Sequence, residues 1–187
     1  MPGNPETLQA PGVEYPRWSE TLRNHRSVLI RPITAQDRDA ERAFIEGLSE
    51  QARRFRFLGQ MSCPSDALVE RFTNVDFKHE VAFVAVVAED AHQHIVGVSR
   101  YSTDDSGLHC ECAVTVDDEW QDQGLGTLLM RHLIEVARSR GIRTMYSIDS
   151  AENTRMRDLA KFLGFHAKVD PDDAAQVIHE LDLQAQP

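Results

Sequence analysis

Apolar residues recur along the chain with two different periods, and these divide it into elements. Ser27–Ile33 (SVLIRPI) predicts a first strand that ends near Pro32. Thr34, followed by Ala35, Gln36 and Asp37, has the form of a helix N-cap with an acid in the first turn. The helix this predicts, through about Gly47, sets Ala40, Phe44 and Leu48 on one face. Arg-rich Ser49–Gln60 predicts a short second helix and Pro64–Thr73 a third. Val81–Glu89 and Ile95–Tyr101 predict two strands, joined by a turn at Ala91–His94 into an antiparallel hairpin. Leu108–Val116 (LHCECAVTV) predicts another strand. Over Gly124–Arg140, Leu125, Leu128, Leu129, Leu133, Val136 and Ala137 recur at helical spacing, and Gly141 sits where a C′ glycine belongs. Thr144–Asp149 predicts a strand, Asn153–Leu163 a helix closed by Gly164, and Phe165–Val169 and Val177–Leu183 two final strands. Met1–Glu14, with three prolines and two glycines, has little periodic pattern. The order predicts one α/β (α+β) domain over 27–187, a mixed central sheet of about six to seven strands flanked by helices. A partly flexible N-terminal arm over 1–26 precedes it.

Length and composition narrow the picture. The 187 residues suffice for one domain with one substantial core. Lys plus Arg number 20 and Asp plus Glu 30, a formal charge of −10. Such a chain repels phosphate backbones, so no nucleic-acid partner is expected, and it attracts cations such as amines. No apolar run approaches the ~18–20 residues of a membrane span, and Met1–Arg17 lacks the apolar core of a secretory leader, so no membrane partner is expected. Three cysteines, Cys63, Cys110 and Cys112, cannot all pair among themselves, which fits a reducing cytoplasm.

The chemistry concentrates in Val114–Met130 (VTVDDEWQDQGLGTLLM). A buried-type strand runs into Gln121-Asp-Gln-Gly-Leu-Gly126, and the clearest helix opens at once. A helix N-terminus presents unpaired N–H groups and a partial positive charge, and Gly124 and Gly126 let a ligand come close to that backbone. The combination suits a pyrophosphate. It lacks the Lys-Ser/Thr ending of a P-loop and the third glycine of a dinucleotide fingerprint, so a nucleoside triphosphate or NAD is disfavoured.

Gln121-x-x-Gly124-x-Gly126, placed between strand and helix, resembles the acetyl-CoA motif of the GNAT N-acetyltransferases, and Asn153–Phe165 (NTRMRDLAKFLGF) resembles that superfamily's second signature. The resemblance runs from about Val28 to Leu183. A closer one is carried by LIRP at Leu29–Pro32, RFRF at Arg54–Phe57, NVDFKHEVAFVA at Asn74–Ala85, ECAVTV at Glu111–Val116 and AENTRM at Ala151–Met156. These are similar to the C-terminal GNAT domain of bacterial protein lysine acetyltransferases. The catalytic fold is expected here without the acyl-CoA-synthetase-like domain of those larger enzymes.

The resemblance implies a GNAT fold and transfer of an acetyl group from acetyl-CoA to a primary amine, foremost a protein lysine. It implies acetyl-CoA binding at Gln121, Gln123, Gly124, Leu125, Gly126 and Thr127, with backbone pairing at Val114 and Val116 and a cofactor-side Asn153. It places a catalytic Glu at Glu111. The chemistry needs one, because holding a lysine amine of pKa ~10.4 neutral at pH 7 costs about 4–5 kcal/mol. Asn153 also suits a helix N-cap. Arg155 is either a phosphate contact or solvated, and Arg157 reads as solvated. Many GNAT enzymes carry a Tyr seven residues after the Asn to protonate the leaving thiolate; here that position is Ala160. The leaving thiolate then takes its proton from water or from another side chain, Tyr146 and Ser147 being the substitutes at hand, or needs none.

His109, Cys110 and Cys112 invite a metal reading, but no further ligand pair lies at zinc spacing, so no metal is expected and the thiols read as small core residues. From Tyr101 to Met130 there are seven acidic residues and no Lys or Arg, either a soluble rim or an attractor for a cationic amine acceptor. Arg53, Arg54 and Arg56 form an opposite patch, some of them expected to pair with acids. The alternatives are acetylation of a small amine, such as a polyamine or aminoglycoside, and a non-catalytic acetyl-CoA sensor. A homodimer is possible.

Overall fold

A computed structural model describes residues 16–59, 63–89 and 92–184. Its strands are β1 (Trp18–Thr21), β2 (Ser27–Pro32), β3 (Glu80–Glu89), β4 (His92–Thr103), β5 (His109–Val116), β6 (Thr144–Ser150), β7 (His166–Val169) and β8 (Gln176–Asp182). Its α-helices are α1 (Arg38–Gly47), α2 (Glu50–Phe57), α3 (Asp66–Thr73), α4 (Leu125–Ser139) and α5 (Thr154–Phe162). The strands form one sheet in the order β1-β2-β3-β4-β5-β6-β8-β7, antiparallel throughout except for β5 beside β6. The single parallel pair is joined through helix α4, as a crossover connection requires.

The sheet has eight strands, one more than its hydrophobic pattern predicts. The extra one, β1, lies inside the segment 1–26 expected as an arm and pairs in register with β2, Trp18 opposite Ile30. Four residues alternating between half-buried and exposed leave too little apolar signal to detect. Its support is tertiary: the Trp18 ring stacks on His132 of α4 with centroids 3.9 Å apart, and His132 Nε2 meets Glu20 Oε1 at 2.7 Å. Residues 1–15 lie outside the described residues, and so do residue 91 of the expected Ala91–His94 turn and its neighbour 90. Strand β4 already begins at His92, three residues ahead of the expected start, and pairs up to Glu89.

Helices cover both faces of the sheet, which is why β3 reads as an unbroken apolar run rather than an alternating one. Val81, Phe83 and Ala85 face the core under α4, with Leu125, Leu129 and Leu133. Ala82, Val84 and Val86 face the second core, with Phe44, Ile45 and Phe72 of α1 and α3. The chain enters α1 through a 3-10 turn, Ala35–Asp37, with Thr34 at its N-cap position rather than at that of α1, and Thr34 N–H donates to Asp37 Oδ2 at 2.8 Å. Buried Asp37 also receives both Arg31 guanidinium nitrogens, at 2.8 and 2.7 Å. Burial pushes the Asp37 carboxyl up in pKa, but the Arg31 and Thr34 bonds outweigh it and hold it below the usual range. Among the described residues no helix is long and apolar enough to cross a membrane.

Candidate active site

Strands β5 and β6 pair at only three positions, His109 with Thr144, Cys110 with Met145 and Glu111 with Tyr146. Both strands continue beyond that point, but apart. Asp117 N–H donates to Val96 O on β4, whereas Leu108 O accepts from Arg143 and Thr144 on the β6 side. By the two-residue alternation of a strand, Cys112, Val114 and Val116 therefore turn their backbone groups into the gap. A cavity of about 900 Å³ fills this gap. Glu111, Val114, Val116, Gln121, Gly124, Leu125, Gly126, Thr127 and Asn153 all line it, nine of the ten residues singled out from the sequence.

Gln123 is the exception: it is not among the lining residues. Its side-chain amide donates to Glu119 O at 3.2 Å, and its carbonyl accepts from Arg23 N–H at 3.2 Å.

At the base of the cavity the chain turns sharply into α4. Asp122 and Gly124 hold left-handed backbone, φ 60° and 91°, and Gly124 is the N-cap residue. Leu128 N–H closes the first helical bond onto Gly124 O at 3.1 Å, so the N–H groups of Leu125, Gly126 and Thr127 precede the helical ladder. A Cβ on Gly126 would sit 3.4 Å from Leu159 Cδ2 and 3.7 Å from Val116 Cγ2, so a side chain there fits its neighbours but projects into the cradle. Gln121 ties the turn together: its amide donates to Val116 O at 3.2 Å, and its oxygen accepts from Arg155. Arg155 also pairs with Asp122 at 3.3 Å. Asn153 caps α5, its Oδ1 accepting from Met156 N–H at 3.1 Å, which leaves its amide N–H donors for a ligand.

Helix α2 roofs the cavity, a role its sequence does not announce, since none of its residues is fully buried. Polar bonds hold it at both ends. Ser49 N–H and Oγ–H donate to Asp118 at 2.9 and 2.8 Å, and Arg54 pairs with Glu152 at 2.6 Å. Arg53 instead donates to Glu46 O, and Arg56 lines the cavity without an ion pair among the described residues. Several of the seven acids are engaged locally too, Asp104 with Ser106 and His109, Asp118 with Ser49, Asp122 with Arg155.

Glu111 is exposed and lies at the last paired position before the strands part. A second cavity, of about 280 Å³, adjoins the first, and Glu111, Cys112, Ala113 and Arg56 line both. Tyr146, opposite Glu111, is half-buried; burial first and then Glu111 raise its hydroxyl pKa. Ala160 is buried on the α5 side of the sheet, in the core with Cys110, Cys112 and Met145. Tyr146, one residue out of phase with Met145, belongs to the opposite face. On the α5 side Ser147 Oγ–H donates to Asp149 Oδ2 at 2.6 Å, and His179 Nδ1 meets the same oxygen at 2.9 Å. Asp149 lines the large cavity. Burial pushes the Cys110 thiol up to about 12 and the Cys112 thiol well above its ordinary value, and both pack as core residues. Among the described residues, no three His, Cys, Asp or Glu side chains gather as metal ligands would.

Comparison with known proteins bears on this geometry. Residues 41–165 match the Acetyltransferase (GNAT) family. "Acetyltransferase PA5475" of Pseudomonas aeruginosa is 50% identical over 171 residues, covering 91% of this chain and 92% of that protein. "Acetyltransferase Pat" of Mycolicibacterium smegmatis is 28% identical, over 94% of this chain and 56% of its own length. Among solved structures, the GNAT domain of S. lividans PAT superposes with a TM-score of 0.83 at 27% identity, over 90% of this chain and 99% of that one.

Proposed function

The chain belongs to the GNAT family of acetyltransferases, and from that premise we propose that it acetylates primary amines, foremost protein lysines, with Glu111 as general base. The observation that carries the proposal is the place of Glu111. It stands at the fork of β5 and β6, facing both the large cavity and the adjoining smaller one. A donor in one cavity and an acceptor in the other would meet beside its carboxylate.

The residues present suit acetyl-CoA. The N–H groups at Leu125, Gly126 and Thr127, with the open cradle at Gly126, fit a pyrophosphate. The gap-facing backbone of Val114 fits an added amide-bearing strand, here the pantetheine arm. At Val116 the carbonyl already accepts from Gln121 through one lone pair, which leaves the second lone pair and the N–H for such pairing. The Asn153 amide and Arg155 border the same cavity. Acetyl-CoA supplies an activated acyl carbon; the protein positions it and manages the amine proton. Glu111, directly or through a water, takes that proton before nitrogen attacks the thioester carbon, so the amine reacts in the neutral form that costs about 4–5 kcal/mol at pH 7. No Tyr on α5 stands by to protonate the departing sulfur, because Ala160 fills that position.

The test is acetyl-CoA turnover with a panel of lysine peptides and small amines, for wild type and Glu111→Gln. The variant should bind acetyl-CoA normally and lose about 10²–10⁴-fold in kcat, together with the acidic limb of the pH–rate profile. A variant that keeps the wild-type rate and the same acidic limb removes Glu111 from the role. A panel in which only small amines react removes protein lysine as the acceptor.

A further inference from the structure

The smaller cavity carries a charge pattern that acetyl transfer alone does not call for. Three arginines from three elements line it: Arg56 of α2, Arg71 of α3 and Arg100 of β4. Two of them lie over the Phe72 ring, with the Arg100 guanidinium carbon 4.0 Å and that of Arg56 5.2 Å from its centroid. Stacking fixes guanidinium planes and leaves their N–H edges for a planar anion. Arg100 pairs with buried Glu41 at 3.5 Å, yet its own Nε is buried without a partner. Arg56 and Arg71 have no carboxylate within ion-pair distance among the described residues, although Glu80 and Glu111 line the same cavity. Burial first, then the neighbouring Arg100, lowers the Arg56 pKa to about 10, and Arg71 adds to the repulsion felt by both. Three mutually repelling cations therefore share one committed counter-ion, Glu41.

The register fixes how far this patch lies from the reacting centre. Ser102 is opposite Glu111 and Arg100 opposite Ala113, so Arg100 and Glu111 occupy diagonal positions on one face, strand positions about 7–8 Å apart from which both side chains reach into the same cavity.

We propose that the Arg56–Arg71–Arg100 cavity binds an anionic group of the acceptor, so that the amines acetylated are those carrying a carboxylate near the reacting nitrogen. This inference rests on amine acetylation at Glu111. A lysine beside Asp or Glu in a protein has this chemistry, and so does a free ω-amino acid. The acidic surface between Tyr101 and Met130 draws the ammonium end in, and the arginines seat the other end.

The experiment uses three peptides of equal length with one central lysine, flanked by Glu, by Gln or by Arg, together with 6-aminohexanoate and hexylamine. Rates are measured for wild type and Arg71→Glu; Arg71 is exposed, so the variant keeps the fold. A fourth, fluorescent peptide, Glu-flanked with norleucine for lysine, reports binding without transfer. The Glu-flanked lysine peptide should exceed the Gln-flanked one at least tenfold in kcat/KM, and Arg71→Glu should abolish or invert that order. Preference for 6-aminohexanoate over hexylamine, with no discrimination among peptides, assigns the site to free amino acids. Equal kcat/KM within the peptide set and within the amine pair, or a preference that Arg71→Glu leaves unchanged, overturns the proposal while acetylation itself stands. Arg71-dependent binding of the norleucine peptide with no acceptor acetylated supports the anion site and overturns amine transfer instead.

Discussion

Replacing Gly126 by Asp separates the fold from the ligand site at a single residue. Gly126 is the second residue of α4, with ordinary helical backbone, and a Cβ there meets only Leu159 and Val116, at 3.4 and 3.7 Å. Aspartate should therefore fit the unliganded protein. It gains a few tenths of a kcal/mol over glycine in helix propensity, and ~0.3–1 kcal/mol from a carboxylate at a helix N-terminus. The sum, about 0.5–1.5 kcal/mol, should raise the melting temperature by up to about 5 °C in a chain of this size. The same carboxylate occupies the cradle. A like charge about 4 Å away costs roughly 4 kcal/mol at the effective dielectric of a protein surface, close to three orders of magnitude in affinity. Thermal melting and calorimetric titration with CoA read the two effects independently. The expected pair is an equal or higher melting temperature and a Kd weakened at least a hundredfold. Wild-type CoA affinity in a folded variant would refute the pyrophosphate placement. Gly124 gives a less clean test: its φ of +91° adds about 1–2 kcal/mol of strain to any side chain, so lost binding there mixes two causes.

Tyr146→Phe should leave kcat within a few fold, because Tyr146 shares the face of Glu111, away from Ala160, and its pKa is raised rather than lowered. A hundredfold drop with intact acetyl-CoA affinity would make it the acid that α5 lacks. A thiol reagent on the native protein should label Cys63 and spare Cys110 and Cys112, whose thiols are buried and held protonated; labelling of all three without denaturant would contradict that packing. Asp37→Ala strands the buried Arg31 guanidinium and should cost about 3–5 kcal/mol by denaturant unfolding. Since the folded Asp37 pKa is depressed, its contribution is present above the unfolded value of ~3.9 and fades as pH falls through the folded one. The gap between variant and wild type should therefore narrow at acid pH, and a gap that widens there refutes the assignment.

What was legible in the sequence follows the range of the interactions involved. The cap at Thr34, α4 with its closing Gly141, and the Gln121–Gly126 turn all rest on contacts within a few residues, and each stands close to its expected bounds. Strand β1 depends on His132 and Ile30, far along the chain, and no local period marks it. Gln123 lies inside the expected turn, yet its side-chain amide reaches back to Glu119 O in the 3-10 turn Asp118–Trp120 rather than into the cavity.

The proton route at the sulfur turns on the same distinction. Sequence spacing identifies Ala160 as the empty acid position, but only the β6–β8 register, with Ser147 opposite His179, creates the polar chain that ends at Asp149 in the cavity wall. Asp149 Oδ2 accepts from the Ser147 hydroxyl, and the His179 ring holds the same oxygen from the far strand. A carboxylate so engaged is fixed in orientation rather than free to deliver a proton, and the Ser147 hydroxyl already donates inward. On the mechanism proposed above, the thiolate would then leave unassisted or take its proton from water, and the basic limb of the pH–rate profile should report no tyrosine near its reference pKa of ~10. Such an asymmetry would suit the proposed base, since Glu111 is exposed and lines both cavities while Cys112 and Ala160 are packed in the core on the α5 side.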